Sequence, residues 1–263
     1  MELQRRAKDL SDQGLGLAVI TYDAPEVLKR FADERGITYP LLSDPGSAII
    51  TAYGILNTGT EAGSRAFGVP YPGTFMLDRT GTVVARYFEA AYQERNTVAS
   101  ILTRQGGVAG TGPAQTVRTS HVTVQAAVSD AAVSPGSRFT VSIEVTPRRG
   151  MHVYAPGKHT YQVVAYTVTS QPWLKAQPLT YPPSEIYYFA PLDERVETYQ
   201  KAFTLVQDLT VLATPEAQKQ LAGQTTLAVT GQLEYQACDD KVCYAPTKVP
   251  LSFTLDLTPL VRP

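Results

Sequence analysis

Cysteine is almost absent from this 263-residue sequence. Its two cysteines, Cys238 and Cys243, lie near the carboxyl end, and residues 1–237 contain none. A disulfide-dense scaffold is therefore excluded, and one bridge is the most that the chain can form within itself. Thiol chemistry is likewise excluded from residues 1–237, because the thiolate of a cysteine is the nucleophile in such reactions.

Long apolar runs and an excess of charge are also lacking. No run approaches the roughly 20 residues that a membrane-spanning helix needs, and the opening MELQRRAKDL has no apolar core of the kind found in signal peptides. The net charge is −1 and the pI is near 6.3, so nothing draws the whole chain to nucleic acid or to an anionic membrane. We predict no transmembrane segment and no nucleic-acid partner, and we find no signal peptide in the chain as given.

Two domains are predicted, with a linker over residues 106–116 between them. The stretch GGVAGTGPAQ has no periodicity and is rich in glycine and small residues. Before it, helical and strand patterns alternate, whereas after it β-branched and aromatic residues alternate with polar ones between frequent turn signals. This change predicts an α/β domain over residues 1–105 and an antiparallel β-sandwich over residues 117–263.

The first domain has a clear order of predicted elements. They are a helix at 2–13, a buried strand at 16–23, a helix from Pro25 to Gly36, a short strand in YPLLSDP, a helix near 46–53, a strand-turn-strand at 73–88 and a helix at 92–104.

Three stretches of residues 1–104 stand out, namely GLGLAVITYDAPEVLKRFADERGITYPLLSDP, AYGI and GVPYPGTFMLDRTGTVVARYF. With them, this part of the chain resembles the thioredoxin-like redoxins of the AhpC/TSA type. The resemblance implies a thioredoxin-like fold in which Pro72 is the cis-proline that faces the active-site cysteine. The family places a central strand and that cysteine ahead of the helix with which this chain begins. We therefore interpret the domain as incomplete, with a true start upstream, and predict no peroxidase activity in this chain.

The stretch EYQACDDKVCYAPTKVPLSF holds the chemistry of the second domain. Two β-rich runs flank DDKV, a four-residue turn suited to a hairpin that sets Cys238 opposite Cys243. Directly opposed residues have Cβ atoms about 4.5–5.5 Å apart and a disulfide needs about 3.5–4.5 Å, so a bridge is reachable with some strain. A bridge across so short a loop stabilises little. An exchangeable pair is favoured, and an inert structural disulfide or metal ligation stay as alternatives.

Residues 117–260 resemble the amino-terminal periplasmic domain of the DsbD-type thiol:disulfide interchange proteins. YQACDDKVCYAPTKVPLSF is the specific part of the match, with weaker agreement at MHVYAPG and YPPSEIYYFAPLDERVETYQKAF. The resemblance implies an immunoglobulin-like sandwich, an extracytoplasmic location, and catalytic Cys238 and Cys243, with Cys243 as the thiol that attacks substrates. It also implies redox partner proteins, namely a membrane thiol reductase and oxidised thioredoxin-like proteins.

The same resemblance suggests which side chains shield the disulfide. Tyr244 matches an aromatic residue that packs on it, and Tyr154 and Tyr161 are candidates for the same wall or for ordinary cross-strand packing. The segment YYFAPLDE corresponds to a shielding loop, in which Phe189 or Leu192 is the cap residue.

The remaining candidates are weak. His121, His152 and His159 form no recognisable ligand motif, and a role at the surface or at a strand end is the expectation for His152 and His159. No metal or other cofactor is predicted. The leading hypothesis is a thiol:disulfide oxidoreductase module. The alternatives are a non-enzymatic immunoglobulin-like binding protein with a structural disulfide, and a fragment of a peroxiredoxin-like peroxidase whose catalytic cysteine lies upstream.

Overall fold

The computed structural model describes residues 2–59, 61, 63–64, 67–88, 95–104, 110–189 and 193–259. The chain divides into two compact units, Met1–Val98 and Ala99–Pro263. None of the described helices is long and apolar enough to cross a membrane.

The first unit alternates helices with short strands. Its elements are α1 (Glu2–Asp12), β1 (Val19–Thr21), α2 (Pro25–Arg35), β2 (Leu41–Ser43), α3 (Ala48–Ala52), β3 (Gly73–Leu77), β4 (Val83–Phe88) and β5 (Arg95–Asn96). β1 and β2 pair in parallel, and β3 and β4 form a separate antiparallel pair.

Local signals in the sequence explain where these helices begin and end. Pro25 starts α2, where its missing N–H would have had no helical partner. Gly36 ends the helix in the left-handed conformation, and its N–H donates to the carbonyl of Ala32. The carboxylate of Asp44 accepts hydrogen bonds from the backbone N–H groups of Ala48 and Ile50, which begins α3.

The predicted cis peptide bond at Pro72 is wrong. No peptide bond in the described part of the chain is cis, including the one between Tyr71 and Pro72. The preceding segment is held extended, because Tyr71 N–H donates to Ile55 O and Pro70 forms a bridge with Leu56. The trans isomer is favoured by about 0.5–1 kcal/mol unless the surroundings select the cis form, and these contacts are made by the trans chain.

The helix predicted over 92–104 is shorter. Residues 95–96 form β5 instead, and the helix α4 is Val98–Arg104. Most of α4 falls in the second unit, where Ala99 and Leu102 are buried and the Arg104 guanidinium lies 2.8 Å from the Asp208 carboxylate. Of the predicted linker, residues 106–109 lie outside the described residues.

The second unit is almost entirely β-structure. After α4 it contains β6 (Ala114–Arg118), β7 (Val122–Val128), β8 (Ala132–Val133), β9 (Ser137–Pro147), β10 (His152–Tyr154), β11 (Ala165–Val168), β12 (Leu174–Ala176), β13 (Glu185–Phe189), β14 (Glu194–Tyr199), β15 (Phe203–Val211), α5 (Pro215–Leu221), β16 (Thr226–Tyr235), β17 (Ala237–Cys238) and β18 (Thr247–Leu257). β6 begins inside the predicted linker, because its residues pair with β7.

Three sheets organise these strands. One runs in the order β12-β15-β9-β7-β6 and a second in the order β11-β16-β18-β8. Alternate residues of β7, β9, β15, β16 and β18 are buried and join one hydrophobic cluster. This is the pattern of strands with one face on a core. The third sheet has the order β13-β14-β10-β17, and the residues that surround the two cysteines lie on one of its faces.

Candidate functional site

The candidate site lies on one face of the β13-β14-β10-β17 sheet. Cys238 pairs with His152, and the register pairs Val196 with Tyr187 and Glu194 with Phe189. Directly opposed residues point to the same face, as do residues two apart on a strand, so Tyr154 lies on this face as well. Antiparallel register therefore brings together side chains that are far apart in the sequence.

The cysteines reach this sheet through an excursion from a long hairpin. β16 and β18 pair as far as Tyr235 and Thr247. Residues 236–246 then leave that sheet, and β17 adds to β10 on the third one. Within the excursion Cys238 and Cys243 form an isolated antiparallel bridge and a disulfide, with Cα atoms 4.1 Å apart.

The carboxylate of Asp239 organises the loop between the cysteines. One carboxylate oxygen accepts from the backbone N–H groups of Lys241 and Val242, and the other accepts from the Tyr244 hydroxyl at 2.9 Å. These hydrogen bonds, led by those from Val242 and Lys241, hold the pKa of Asp239 below its ordinary value. The loop thus has a framework of hydrogen bonds that does not depend on the disulfide.

The two cysteines differ in their exposure to solvent. Cys238 is 1% exposed and packs with Tyr154 and Val196, whereas Cys243 is an exposed residue. An incoming thiolate must approach a disulfide sulfur directly, and Cys243 is the residue of the pair that lies at the surface.

A cavity of about 110 Å³ lies over the disulfide. It is lined mainly by aromatic and charged side chains that surround the sulfurs, namely His152, Tyr154, Tyr161, Tyr187, Phe189, Glu194, Val196, Asp239, Lys241 and Val242. The rings pack closely, since Tyr154 stacks on Tyr161 at 4.2 Å and His152 lies 4.3 Å from Tyr187.

Tyr154 contacts both sulfur atoms. Its hydroxyl oxygen lies 3.1 Å from Cys238 Sγ and 3.3 Å from Cys243 Sγ. Beside it, the Tyr161 hydroxyl donates to the Glu194 carboxylate at 2.7 Å. Burial raises the pKa of Tyr154 well above its ordinary value, so this phenol is neutral at neutral pH.

His152 lies at a strand end, as expected, because it begins β10, but the expectation of a surface position is wrong. The side chain is 4% exposed and lines the cavity. Burial lowers its pKa, which the negative charge of Asp239 partly opposes, and the ring is therefore neutral at neutral pH. The Pro-Gly pair that follows suggested an exposed turn, but β10 lies between β14 and β17, and that position depends on distant parts of the chain.

The structure places the predicted site residues in different surroundings. Cys238, Cys243, Tyr154 and Phe189 all line the cavity, whereas Leu192 lies outside the described residues. Tyr244 is not part of the cavity wall, and its ring faces His121 with centroids 4.3 Å apart.

Sequence reasoning missed His152 as a member of the site, and it assigned the segment from Tyr187 to Glu194 to the shielding loop without giving either of these residues a role. The alternation in YYFAPLDERVE was the available signal for Tyr187 and Glu194, because alternate residues of paired strands share a face. In the described part of the chain, no three His, Cys, Asp or Glu side chains are grouped so that they could hold a metal ion.

Comparison with known proteins separates the chain into the same two parts. Residues 1–86 match the AhpC/TSA family, and residues 119–254 match the family "Thiol:disulfide interchange protein DsbD, N-terminal". The amino-terminal part is thus thioredoxin-like and the β-rich part is DsbD-like.

Individual relatives resemble the amino-terminal part. A Mycobacterium tuberculosis protein that carries a peroxiredoxin name is 36% identical over 80 residues, which are 30% of this chain and 50% of that protein. Alkyl hydroperoxide reductase E of Mycobacterium bovis is 36% identical over 75 residues, which are 28% of this chain and 44% of that protein. The chain thus spans about half the length of the curated relatives it matches.

Two solved structures align with part of this chain. The amino-terminal periplasmic domain of ScsB from Proteus mirabilis aligns with a TM-score of 0.37 at 18% identity, covering 55% of this chain and 50% of that one. The reduced amino-terminal domain of Neisseria meningitidis DsbD aligns with a TM-score of 0.30 at 14% identity, covering 44% and 80%. The family match over residues 119–254 spans more than half of the chain. The chain therefore belongs to the family of the amino-terminal domain of the thiol:disulfide interchange protein DsbD.

Proposed function

We propose that this chain is a thiol:disulfide oxidoreductase module that passes electrons through the Cys238–Cys243 pair. The observation that carries the proposal is the asymmetry of the disulfide, in which Cys243 is exposed and Cys238 is 1% exposed beside the aromatic wall. Exchange needs one sulfur that a partner can reach and a second that resolves the mixed disulfide, and this pair supplies one of each.

The pair can accept and donate two electrons in balanced steps. A partner thiolate attacks Cys243 Sγ, the bond to Cys238 Sγ breaks, and Cys238 leaves as a thiolate that takes up a proton. The partner's second thiolate then attacks its own sulfur in the mixed disulfide and releases Cys243, so the partner is oxidised and the pair is reduced. The reverse sequence, begun by Cys243 on an oxidised partner, delivers the two electrons.

The partners proposed for these steps follow from the family. A membrane thiol reductase would reduce the pair, and oxidised thioredoxin-like proteins would receive the electrons. The same kinship supports an extracytoplasmic location, where disulfides persist. For the β-rich unit we propose an immunoglobulin-like sandwich. This assignment is supported by the single hydrophobic cluster that the sheets of the unit share.

The principal alternative is that the disulfide is structural. The short loop that the disulfide closes argues against this alternative. Cys238 and Cys243 are separated by five positions, and the Asp239 carboxylate already holds the turn between them. A bridge across so short a loop removes little freedom from the unfolded chain.

The peroxidase alternative concerns the amino-terminal part. Kinship with AhpC/TSA proteins favours a redox role for the protein as a whole, but residues 1–237 contain no cysteine. We propose that the Cys238–Cys243 pair carries all thiol chemistry of the chain as given.

A matched pair of variants tests the proposal with oxidised glutathione as the probe. Cys238→Ser leaves the exposed thiol and Cys243→Ser leaves the buried one. We expect the first variant to form a glutathione mixed disulfide at least about tenfold faster than the second, because attack depends on access to the sulfur. Equal or inverted rates, measured by intact mass, would refute the assigned roles.

A further inference from the structure

We propose that Tyr154 is a catalytic residue of this exchange site, whose hydroxyl donates a hydrogen bond to the Cys238 thiolate as that sulfur leaves the disulfide. This inference rests on the proposed function, and it assigns to the Tyr154 hydroxyl a role beyond packing against the disulfide.

The leaving sulfur is in an unfavourable place for a charge. Cys238 is 1% exposed and belongs to a small buried cluster with Tyr154 and Val196, against which the partly buried Tyr161 and Tyr187 pack. A thiolate there loses the hydration that stabilises it in water, and burial of this kind raises a thiol pKa. Slow departure follows, because a thiol of higher pKa is a poorer leaving group.

Charged groups around the cavity do not remove this difficulty. Glu194 and Asp239 line it with negative charge, His152 is neutral, and Lys241 is on an exposed part of the loop. The carboxylates disfavour a nearby thiolate, whereas the lysine favours it from a position in solvent, where its field is screened. A neutral hydrogen-bond donor in direct contact with the Cys238 sulfur therefore has more effect on the thiolate than these charged groups have.

The Tyr154 hydroxyl has the required position. It lies 3.1 Å from Cys238 Sγ and 3.3 Å from Cys243 Sγ, within hydrogen-bonding reach of either sulfur. Its O–H can turn toward whichever sulfur carries the charge without movement of the ring. The ring itself is 3% exposed and stacks on Tyr161, with an angle of 3° between the planes.

The Tyr161 oxygen is a competing acceptor for the Tyr154 O–H, but it is neutral, and a hydrogen bond to a charged thiolate is the stronger one. Tyr161 directs its own O–H to the Glu194 carboxylate, which satisfies that acid and fixes the stacked ring. Burial keeps the pKa of Tyr154 raised, so the phenol remains a donor while a thiol beside it ionises.

The step balances as follows. The incoming thiolate forms a bond to Cys243 Sγ while the bond from Cys243 Sγ to Cys238 Sγ breaks, and the electron pair of that bond goes to Cys238 Sγ. The Tyr154 O–H shares its proton in a hydrogen bond to this new thiolate and stays a phenol. Solvent or the partner then protonates Cys238, and Tyr154 is unchanged over the cycle.

Two variants of the full chain test this role. Tyr154→Phe retains the ring and its stacking but lacks the hydroxyl. Tyr199→Phe is the matched control, since Tyr199 is 4% exposed on the other face of the same sheet and its hydroxyl donates to Pro182 O. Each is combined with Cys243→Ala so that Cys238 is the only cysteine, and its pKa is read from the Cβ shift of carbon-13-labelled cysteine.

We expect Tyr154→Phe to raise the pKa of Cys238 by about 1 to 2 units, the size of one hydrogen bond to a charged group, and Tyr199→Phe to leave it unchanged. With both cysteines present, dithiothreitol should reduce the Tyr154→Phe disulfide at least about threefold more slowly than the wild-type one. A fluorinated tyrosine at position 154, a stronger donor, should lower the pKa of Cys238, which keeps the test decisive if Tyr154→Phe folds poorly.

An unchanged Cys238 pKa and an unchanged reduction rate in Tyr154→Phe would overturn the inference while wild-type exchange stands. An equal shift in Tyr199→Phe would overturn it too, because the effect would then be general. Failure of the proposed function looks different, since the wild-type disulfide would itself resist dithiothreitol.

Discussion

Reduction of the Cys238–Cys243 disulfide should leave the β-rich unit folded. The bridge spans only five positions along the chain. Closing a loop of about six residues stabilises a protein by about 2 kcal/mol through the entropy of the unfolded chain, near the lower end of the usual range. The hydrophobic cluster of that unit draws on strands of all three sheets and does not include either cysteine.

The loop also keeps other contacts when the sulfurs part. Asp239 N–H donates to Val242 O, Tyr244 N–H donates to Ala237 O, and the Asp239 carboxylate holds the turn. We therefore expect reduction to lower the unfolding free energy by no more than about 2 kcal/mol, or about 4–8 °C in Tm for a unit of this size.

Denaturant unfolding of oxidised and dithiothreitol-reduced protein, followed by circular dichroism, measures this difference. The double variant Cys238→Ala/Cys243→Ala is the control, and it should match the reduced protein. Unfolding of the β-rich unit on reduction would refute the reasoning and would identify the bridge as a structural staple.

Three further predictions concern the loop, the amino-terminal part and the linker. Asp239→Asn should be less stable than wild type above pH about 4, and this difference should shrink as the pH falls through the lowered pKa of the Asp239 carboxylate. Urea unfolding at each pH measures the difference, and a difference that is constant with pH would contradict the prediction. The chain should not consume peroxide at a normal peroxidase rate, since residues 1–237 lack cysteine, and such consumption in Cys238→Ser would disprove it. Limited proteolysis should cut first between residues 104 and 114 and leave the carboxyl-terminal fragment folded. The amino-terminal fragment should melt at the lower temperature of the two, and the reverse order of melting would contradict this prediction.

Local signals made part of this structure predictable from the sequence. The pairing of Cys238 with Cys243 needs only a four-residue turn, and α2 begins at Pro25 and ends before Gly36 because both residues act on their own surroundings. The stretch that carries the two cysteines also lies within residues 119–254, which match the DsbD amino-terminal family.

Tertiary contacts decided the features that were predicted wrongly or missed. The trans peptide bond at Pro72 depends on the hydrogen bond that Tyr71 N–H donates to Ile55 O. The burial of His152 depends on β14 and β17, which lie on either side of its strand. Glu194 enters the site only through its register with Phe189. Such pairings join distant positions, and no local pattern specifies them.

The reduction potential of the Cys238–Cys243 pair tests the central claim most directly. The wild-type protein is equilibrated in glutathione and dithiothreitol buffers of graded potential, and free thiols are counted by alkylation and intact mass. We predict a reversible two-electron transition at a potential above about −300 mV, the level below which structural disulfides of secreted proteins typically lie. A pair that stays oxidised in strong thiol reductant while the protein is native would contradict the claim.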